Sequence, residues 1–176
     1  MTSDMLSSQT ISLRPPEPAD LLPMYALEND AAIWRSTGIV QPVSRSVCAS
    51  YLSSVKNDIY EERQLRFAIE LNQPPKTTVG FIDLFNFSPR HLRAEIGIGL
   101  LQQHRGGGYA AEAVLLLEKY AVQVLFVRQL SASVIADNKP ALKLFEKMGY
   151  KRAGVLKEWF KTQDGFADVV FFQKIL

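Results

Sequence analysis

The chain has 176 residues, of which 47% are hydrophobic, and it carries a formal net charge of +2. This size and composition predict one folded domain over residues 1–176, and the small net charge argues against binding nucleic acid or an anionic membrane surface. A single cysteine, Cys48, excludes an intrachain disulfide, and two histidines are too few for a zinc motif. Residues 1–9 are polar, unlike a signal peptide, and no apolar run reaches the ~20 residues of a membrane span. We therefore expect a soluble, cytoplasmic protein.

The first part of the chain combines one strand with several helices. Residues 10–14 alternate like a half-buried strand and end at two prolines. Short helices are predicted over 18–28 and 30–36, followed by a break over 38–42. An amphipathic pattern then predicts one longer helix from Ser44 to about Tyr60, whose apolar side is formed by Val47, Tyr51, Leu52, Val55 and Ile59.

The middle of the chain reads as strands over 65–71, 78–87 and 92–101, and the short turns between them predict an antiparallel meander. In the third strand, the residues predicted to share one face are Leu92, Ala94, Ile96, Ile98 and Leu100. The opposite face carries Arg93, Glu95, Gly97 and Gly99. Glycines beside a carboxylate leave room for a ligand to approach the sheet.

The last part of the chain alternates between helix and strand. Its predicted elements are a helix over 106–124, a strand over 129–135, a helix over 138–148 that Gly149 ends, and strands over 150–158 and 167–175 around a turn at Gln163-Asp164-Gly165. Together the elements predict an α+β fold with a mixed, mostly antiparallel sheet of about six to seven strands flanked by helices.

The segment Gln103-His104-Arg105-Gly106-Gly107-Gly108-Tyr109-Ala110 joins a predicted strand to a predicted helix. Its glycines expose backbone amides at a helix start, where a phosphate or pyrophosphate can bind. A P-loop is excluded because no lysine follows the last glycine. A dinucleotide fingerprint matches 106–111 formally, but four polar residues precede Gly106 and no acidic residue follows about 20 positions later. A loop that merely turns the chain is the remaining alternative.

The same segment, written Gln-x-Arg-Gly-x-Gly and continued by Tyr109-Ala110-Ala111-Glu112-Ala113, resembles the acetyl-CoA pyrophosphate loop of the GCN5-related N-acetyltransferase (GNAT) superfamily. Residues 138–150 resemble that family's N-x-x-[AS]-x-x-[LV]-[YF]-E-K-x-G-[FY] segment. Independently of the resemblance, Asn138 is a plausible helix cap. Both segments in this order argue against the turning loop.

The resemblance extends over nearly the whole chain. Residues 11–15 and 94–100 are similar to the family's opening and fourth strands. The tail, 154–160 and 165–169, resembles the RimJ/RimL-type and spermidine-acetyltransferase-type branch. That branch acetylates polyamines, other small amines or protein N-terminal amines, and family members are often homodimers.

The resemblance implies a metal-free N-acetyltransferase of GNAT fold that moves an acetyl group directly from acetyl-CoA to a primary amine. The amides of 105–109 would bind pyrophosphate, and strand residues near 98–100 would pair with the pantetheine arm. The residues expected to bind the cofactor are Ile98, Leu100, Gln103, His104, Arg105, Gly106, Gly107, Gly108, Tyr109, Ala110, Asn138, Ala141 and Phe145.

Two positions bear on proton transfer. Glu95 is the candidate general base, acting directly or through water, and the alternative is an ordinary strand carboxylate paired with Arg93 or another cation. Phe145 stands where many family members have a tyrosine that protonates the leaving thiolate, and phenylalanine has no proton to give. Cys48 has no histidine near it in sequence and is expected to be a buried structural thiol.

The acceptor is expected between the first helices and the last hairpin. The candidate substrate residues are Tyr25, Glu28, Asp30, Trp34, Trp159 and Phe160. The carboxylates would suit a cationic amine, although a solvated helix end would also explain them, and Trp34 would equally suit the core. Two rival functions remain open from sequence: a CoA-binding regulatory module without catalysis, and a peptide-binding domain with no cofactor.

Overall fold

A seven-stranded mixed sheet forms the centre of the protein. The computed structural model describes residues 5–37, 41–54, 56, 58–162 and 165–176. The strands are β1 (Ile11–Arg14), β2 (Leu65–Leu71), β3 (Thr78–Ser88), β4 (Arg93–Leu100), β5 (Gln129–Ile135), β6 (Lys151–Thr162) and β7 (Gly165–Ile175). They lie in the order β1-β2-β3-β4-β5-β7-β6, and all neighbours are antiparallel except β4 and β5. The predicted mixed, mostly antiparallel α+β fold is confirmed.

Helices cover both faces of this sheet. They are α1 (Leu21–Glu28), α2 (Ala31–Thr37), α3 (Arg45–Ser54), α4 (Ile59–Glu62), α5 (Tyr109–Gln123) and α6 (Lys139–Lys147). The larger core cluster packs α5 and α6 against the sheet, and a second cluster packs α1 and α3 against it. Strands alternate buried and exposed side chains where only one face is covered. Within the described residues, no helix has the length and apolar character needed to cross a bilayer.

The predicted long helix over residues 44–60 is wrong. The chain forms α3 and the separate short α4, because Asp58 caps a new helix by accepting hydrogen bonds from the amides of Tyr60 and Glu61. Val47 is exposed, and the buried side of α3 is formed by Cys48 and Leu52. The predicted apolar residue Val55 lies outside the described residues, as do residues 38–40 of the predicted break.

The bounds of α5, β4, β6 and β7 also differ from the predictions. α5 begins at Tyr109 rather than Gly106, because Gly106 and Gly108 have φ angles of +84° and +85°, which are not helical. Leu92 also has a positive φ, and β4 therefore begins at Arg93. The strands β6 and β7 are longer than predicted, and the turn residues 163 and 164 lie outside the described residues.

Candidate active site

The sheet divides between its two parallel strands. Within the described residues, β4 pairs with β5 only from Arg93 to Glu95, although β4 stays paired with β3 as far as Leu100 and β5 with β7 as far as Ile135. The two strands therefore separate towards their carboxyl ends. An opening of this kind leaves one edge of β4 available to a ligand.

The glycine segment lies at the carboxyl end of β4. A 3-10 helix over Gln102–His104 leads into it, and Gly108, in the left-handed conformation, is the N-terminal cap of α5. The backbone amides of 106–110 have no acceptor among the described residues. A Cβ atom at Gly106 or Gly108 would meet nothing within 4 Å. The loop thus presents a row of free donors to open space, as an anion site requires.

A cavity of about 800 Å³, here named the loop cavity, lies between this loop, β4 and α6. Its basic side chains are Arg35, Arg105 and Lys147, against one carboxylate, Asp137. The sequence-predicted residues that line it are Ile98, Leu100, Arg105, Gly106, Gly108, Ala110, Asn138 and Ala141. The loop cavity is therefore a predominantly basic pocket with free amides at one wall.

A second cavity of about 420 Å³, here named the ion-pair cavity, continues the opening on the side of α1, β2 and β3. The two cavities share lining residues on α2, β4 and α6, namely Ile33, Ile98, Gly99, Asn138 and Ala141. Gly99 needs to be small, because a Cβ atom there would lie 3.1 Å from a methyl group of Leu27. One continuous passage thus joins the free amides to the interior.

Three charged side chains from α1, β2 and β3 meet in the ion-pair cavity. Arg66 Nη1 donates to Glu28 Oε1 at 2.8 Å, and Arg66 Nε and Nη2 donate to the two oxygens of Asp83 at 2.6 and 3.0 Å. Burial lowers the pKa of Arg66, but the charges and hydrogen bonds of Asp83 and Glu28 raise it further, and the net pKa is raised. The guanidinium is therefore charged at every physiological pH.

Comparison with known proteins identifies the family. The profile of the acetyltransferase (GNAT) domain family matches residues 10–151. The chain belongs to this GNAT family. It is an acetyl-CoA-dependent N-acetyltransferase, and the free amides and small residues of its loop fit the phosphate-bearing co-substrate.

Relatives and solved structures agree with this membership. The chain is 28% identical to a spermidine N(1)-acetyltransferase of Escherichia coli over 156 residues, covering 89% of the chain and 81% of that protein. An uncharacterized N-acetyltransferase of Bacillus subtilis is 26% identical over 155 residues, covering 88% of the chain and 87% of that protein. A crystal structure of the Vibrio cholerae spermidine N-acetyltransferase with CoA and spermine superimposes with a TM-score of 0.84, at 25% identity and 96% coverage of both chains.

The remaining residues predicted to bind the co-substrate lie close to the passage that the two cavities form in this acetyltransferase. Gln103, His104, Gly107 and Tyr109 belong to the loop or to the start of α5 without lining a cavity. A Cβ atom at Gly107 would lie 2.9 Å from the Tyr109 ring, so this glycine is required by packing. The lining residues that were not predicted to bind the co-substrate include Ala32, Arg35, Pro140, Leu144 and Lys147. Ala141, Leu144 and Lys147 are three residues apart and therefore lie on one face of α6. This spacing could have predicted Leu144 and Lys147 from Ala141.

Asn138 and Phe145 are placed by α6. Asn138 caps the helix by accepting a hydrogen bond from the amide of Ala141 at 3.2 Å, and it lines both cavities. Phe145 is buried, lines the ion-pair cavity and packs edge-to-face on Tyr150, with 5.2 Å between ring centroids. Burial and the nearby Glu118 raise the pKa of Tyr150, which keeps its hydroxyl neutral.

Glu95 lies on the same face of β4 as Gly97 and Gly99 but lines neither cavity. Its Oε1 accepts a hydrogen bond from Asn86 Nδ2 at 2.9 Å. The structure therefore places this candidate base at the outer end of the passage, two residues before Gly97, which does line the ion-pair cavity.

Of the predicted substrate residues, Glu28 lines the ion-pair cavity and the others lie elsewhere. Asp30 pairs with Arg105 at 2.6 Å, and Trp34 Nε1 donates to the backbone oxygen of Glu28 at 2.6 Å. Tyr25 lies under the guanidinium of Arg45. Trp159 is 67% exposed on β6, and Phe160 follows it without lining either cavity.

Metal-binding groups and the one cysteine were considered as further sites of chemistry among the described side chains, and neither provides one. Within the described residues, no group of three or more His, Cys, Asp or Glu side chains could hold a metal ion. Cys48 is buried, and burial raises the pKa of its thiol, with the charge of Glu28 acting in the same direction. A buried thiol held in its neutral form is a poor nucleophile.

Proposed function

We propose that the acceptor is a small-molecule primary amine that enters through the ion-pair cavity and meets acetyl-CoA bound in the loop cavity. The observation that carries this proposal is the continuity of the two cavities along β4, where Ile98 and Gly99 line both. Relatives that act on spermidine support a small amine, and a peptide N-terminus is the other acceptor considered. The same relatives support a spermidine-acetyltransferase-type chain, and the resemblance of the tail at 154–160 and 165–169 supports a branch that also includes the RimJ/RimL type.

Binding of the co-substrate is assigned to the loop and its neighbours. The amides of 106–110 would hold the pyrophosphate, and the charges of Arg105 and Lys147 would add attraction. The edge of β4 near Ile98 to Leu100, which β5 does not pair, would hydrogen-bond the pantetheine arm, while Asn138 and Ala141 would flank it. The carbonyl of Leu100 already accepts a hydrogen bond from Arg105 Nε at 3.0 Å. The rim of this site is assigned to Gln103, His104, Gly107, Tyr109 and Ala110, and the inner end to Phe145.

Acetyl-CoA supplies the activated acetyl group, and the chain must position and deprotonate the amine. The free Oε2 of Glu28 would receive the ammonium form of the acceptor in the ion-pair cavity. We assign the proton acceptor to Glu95, acting through water, because it shares the face of β4 that borders the cavity. The pH profile of Glu95→Gln tests this role: loss of the acidic limb supports it, and an unchanged profile contradicts it.

Phe145 cannot protonate the departing sulfur, so we propose that the CoA thiolate leaves unprotonated or takes its proton from solvent. The absence of a hydroxyl at this position also keeps a second function in view, a CoA-binding regulatory module with little catalysis. Turnover separates the two functions, since a regulatory module would bind acetyl-CoA without consuming an amine.

The direct experiment follows CoA release from acetyl-CoA across a panel of polyamines, simple monoamines and N-terminal peptides. We expect release that depends on, and saturates with, at least one amine. Binding of acetyl-CoA without release for any amine would reject the enzyme in favour of the regulatory module. Absence of acetyl-CoA binding would reject both.

We also propose that the chain forms a homodimer through the outer edge of its sheet. β6 is the last strand of the sheet order and exposes Val155, Leu156 and Trp159. A long edge strand has unpaired backbone groups that can pair with another chain. Light scattering should give twice the 19.8 kDa of one chain, and a monomer at micromolar concentration would contradict the proposal.

A further inference from the structure

The ion-pair cavity is close to electrically balanced although it contains two carboxylates. Both oxygens of Asp83 accept hydrogen bonds from Arg66, and Oε1 of Glu28 accepts a third. Among the described residues, only Oε2 of Glu28 has no hydrogen-bond partner within this trio. Two carboxylates and one guanidinium leave a single negative charge for an acceptor to meet.

Arg66 is held firmly in this position. Its guanidinium lies 5.5 Å from the ring centroid of Tyr51 and 5.9 Å from that of Phe81, in addition to its three hydrogen bonds. The side chain is 24% exposed. A cation that is paired, stacked and largely buried is not readily displaced by a ligand that competes for the same carboxylates.

A neighbouring cavity of about 430 Å³ on the outer side of Arg66 adds no net charge. It shares Arg66, Asp83 and Phe85 with the ion-pair cavity and adds one carboxylate and one guanidinium, Glu62 and Arg63. Glu95 reaches its rim through Asn86 but does not line it. The outer cavity therefore adds no net negative charge for an acceptor long enough to enter it.

Apart from Ser133 and Asn138, the other side chains that line the ion-pair cavity are apolar. The apolar side chains that line it include Leu27, Phe81, Phe85, Ile96, Val134 and Phe145. A polyamine carries several ammonium groups, and each one loses water on entry and needs a carboxylate in return. One available carboxylate oxygen within an apolar wall suits one ammonium group on an apolar body.

On the basis of the proposed function, we infer that Arg66 is a specificity-determining residue that selects a monoamine with an apolar body over polyamines. The guanidinium neutralises the second carboxylate that a polyamine would need. The acceptor class would then differ from that named for the spermidine-acetylating relatives.

Calorimetry on the CoA-loaded wild-type protein tests this inference without requiring turnover. 2-Phenylethylamine should bind at least about 10-fold more tightly than spermidine, because only the monoamine matches one free carboxylate. Equal or tighter binding of spermidine would overturn the inference, and so would binding of neither amine. CoA release is measured separately: monoamine binding without acetylation would refute the proposed function and leave the inference standing.

Arg66→Gln removes the charge and keeps a side chain that can hydrogen-bond. Spermidine should then bind about 10-fold more tightly than to the wild type, because a second carboxylate becomes available, while 2-phenylethylamine changes less. An unchanged ratio of the two affinities would overturn the inference. Arg152→Gln, which removes a surface arginine paired with Glu146, is the matched control and should leave the ratio unchanged.

A second variant covers the case in which Arg66→Gln fails to fold, as judged by thermal unfolding. Glu28→Gln removes the carboxylate that remains available, so 2-phenylethylamine should bind about 10-fold more weakly. Undiminished binding of the monoamine to a folded Glu28→Gln protein would contradict the assignment of that oxygen.

Discussion

The loop cavity and the ion-pair cavity share a wall but are built in different ways. The loop cavity takes its donors from consecutive backbone amides at 106–110, which need only glycine and a helix start. The ion-pair cavity takes its chemistry from three side chains on three elements, Glu28, Arg66 and Asp83. Backbone donors suit the phosphates, which are the same in every acetyl-CoA molecule. Substitution of the side chains, in contrast, can change the specificity for the acceptor without disturbing the loop.

The two cavities also differ in charge. The loop cavity has an excess of basic side chains, and its Arg105 is partly engaged by Asp30. The ion-pair cavity keeps its own charges paired through Arg66. The first cavity is therefore expected to attract a polyanion by charge, and the second to admit an acceptor by shape and by one carboxylate oxygen.

Gly108→Leu should have the largest effect. A side chain at φ +85° is strained and would project into the loop cavity, so acetyl-CoA affinity should fall by at least about 1,000-fold. Gly149→Leu is the control, since Gly149 has a φ of +83° and lines neither cavity. Unchanged affinity in the calorimeter for Gly108→Leu would remove the loop from the binding site.

Asp20→Asn tests how strongly the start of α1 is held in place. Asp20 directly precedes α1, and this helix carries Glu28 of the ion-pair cavity. Asp20 is almost completely buried and pairs with Arg14 at 2.7 Å, and breaking such a pair costs about 3 kcal/mol of unfolding free energy. Denaturant titration measures this loss. Asp168→Asn, in an exposed pair with Lys157, is the control and should change stability little.

The same residue gives a pH dependence. Burial alone would raise the pKa of Asp20, but hydrogen bonds from Arg14, Thr78 and the Glu17 amide lower it overall. The stability that it contributes is therefore complete above its unfolded pKa of about 3.9 and is lost as the pH falls through its lower folded value. Denaturant titrations from pH 7 to 3 should show a shallower decline for Asp20→Asn than for the wild type.

Glu28→Gln should change the kinetics of the amine and leave those of acetyl-CoA almost unchanged. Removing the carboxylate that faces the acceptor should lower kcat/KM for the amine by about 30-fold, as expected for a hydrogen bond to a charged group. The KM for acetyl-CoA should stay within a factor of about two, because Glu28 does not line the loop cavity. Glu61→Gln, on an exposed pair with Lys56, is the control. A parallel rise in the KM for acetyl-CoA would show that the cavities are not separable.

Substitutions of Arg105 and Asp30 should have the smallest effects on the affinity for acetyl-CoA, and these effects should have opposite signs. Arg105→Gln should weaken acetyl-CoA binding by about 10-fold, since a phosphate loses a charged donor. Asp30→Asn should tighten it by about 3-fold, because the carboxylate no longer competes for Arg105. Although burial raises the pKa of Asp30, hydrogen bonds from the Ala32 amide and Arg105 lower it overall, so the competition persists at neutral pH. Weaker binding to Asp30→Asn would mean that Asp30 positions Arg105 instead.

The sequence predicted most of what depends on neighbouring residues. The bounds of β2 and β5, the cap at Asn138 and the left-handed Gly149 were all predicted from local patterns and are confirmed. The helix over 44–60 was not, because an apolar period continued across the point where Asp58 starts a new helix. Local periodicity does not reveal a cap that the surrounding structure favours.

The ion-pair cavity shows the limit of sequence reasoning at the site. Glu28 was predicted to meet the substrate, but Arg66 and Asp83 were missed, although they lie opposite each other on β2 and β3. Nothing near Arg66 in sequence indicates that its guanidinium crosses to a helix. Likewise Asp30, predicted to contact the acceptor, instead pairs with Arg105 from the other end of the passage. Such long-range ion pairs depend on the packing of whole elements.

The most direct test of the account is amine-dependent release of CoA from acetyl-CoA by the wild-type protein, with mass spectrometry of the amine. The account predicts saturable release, one acetyl group added to the amine per CoA released, and loss of both in Gly108→Leu. Tight binding of acetyl-CoA with no amine consumed from the panel would contradict it.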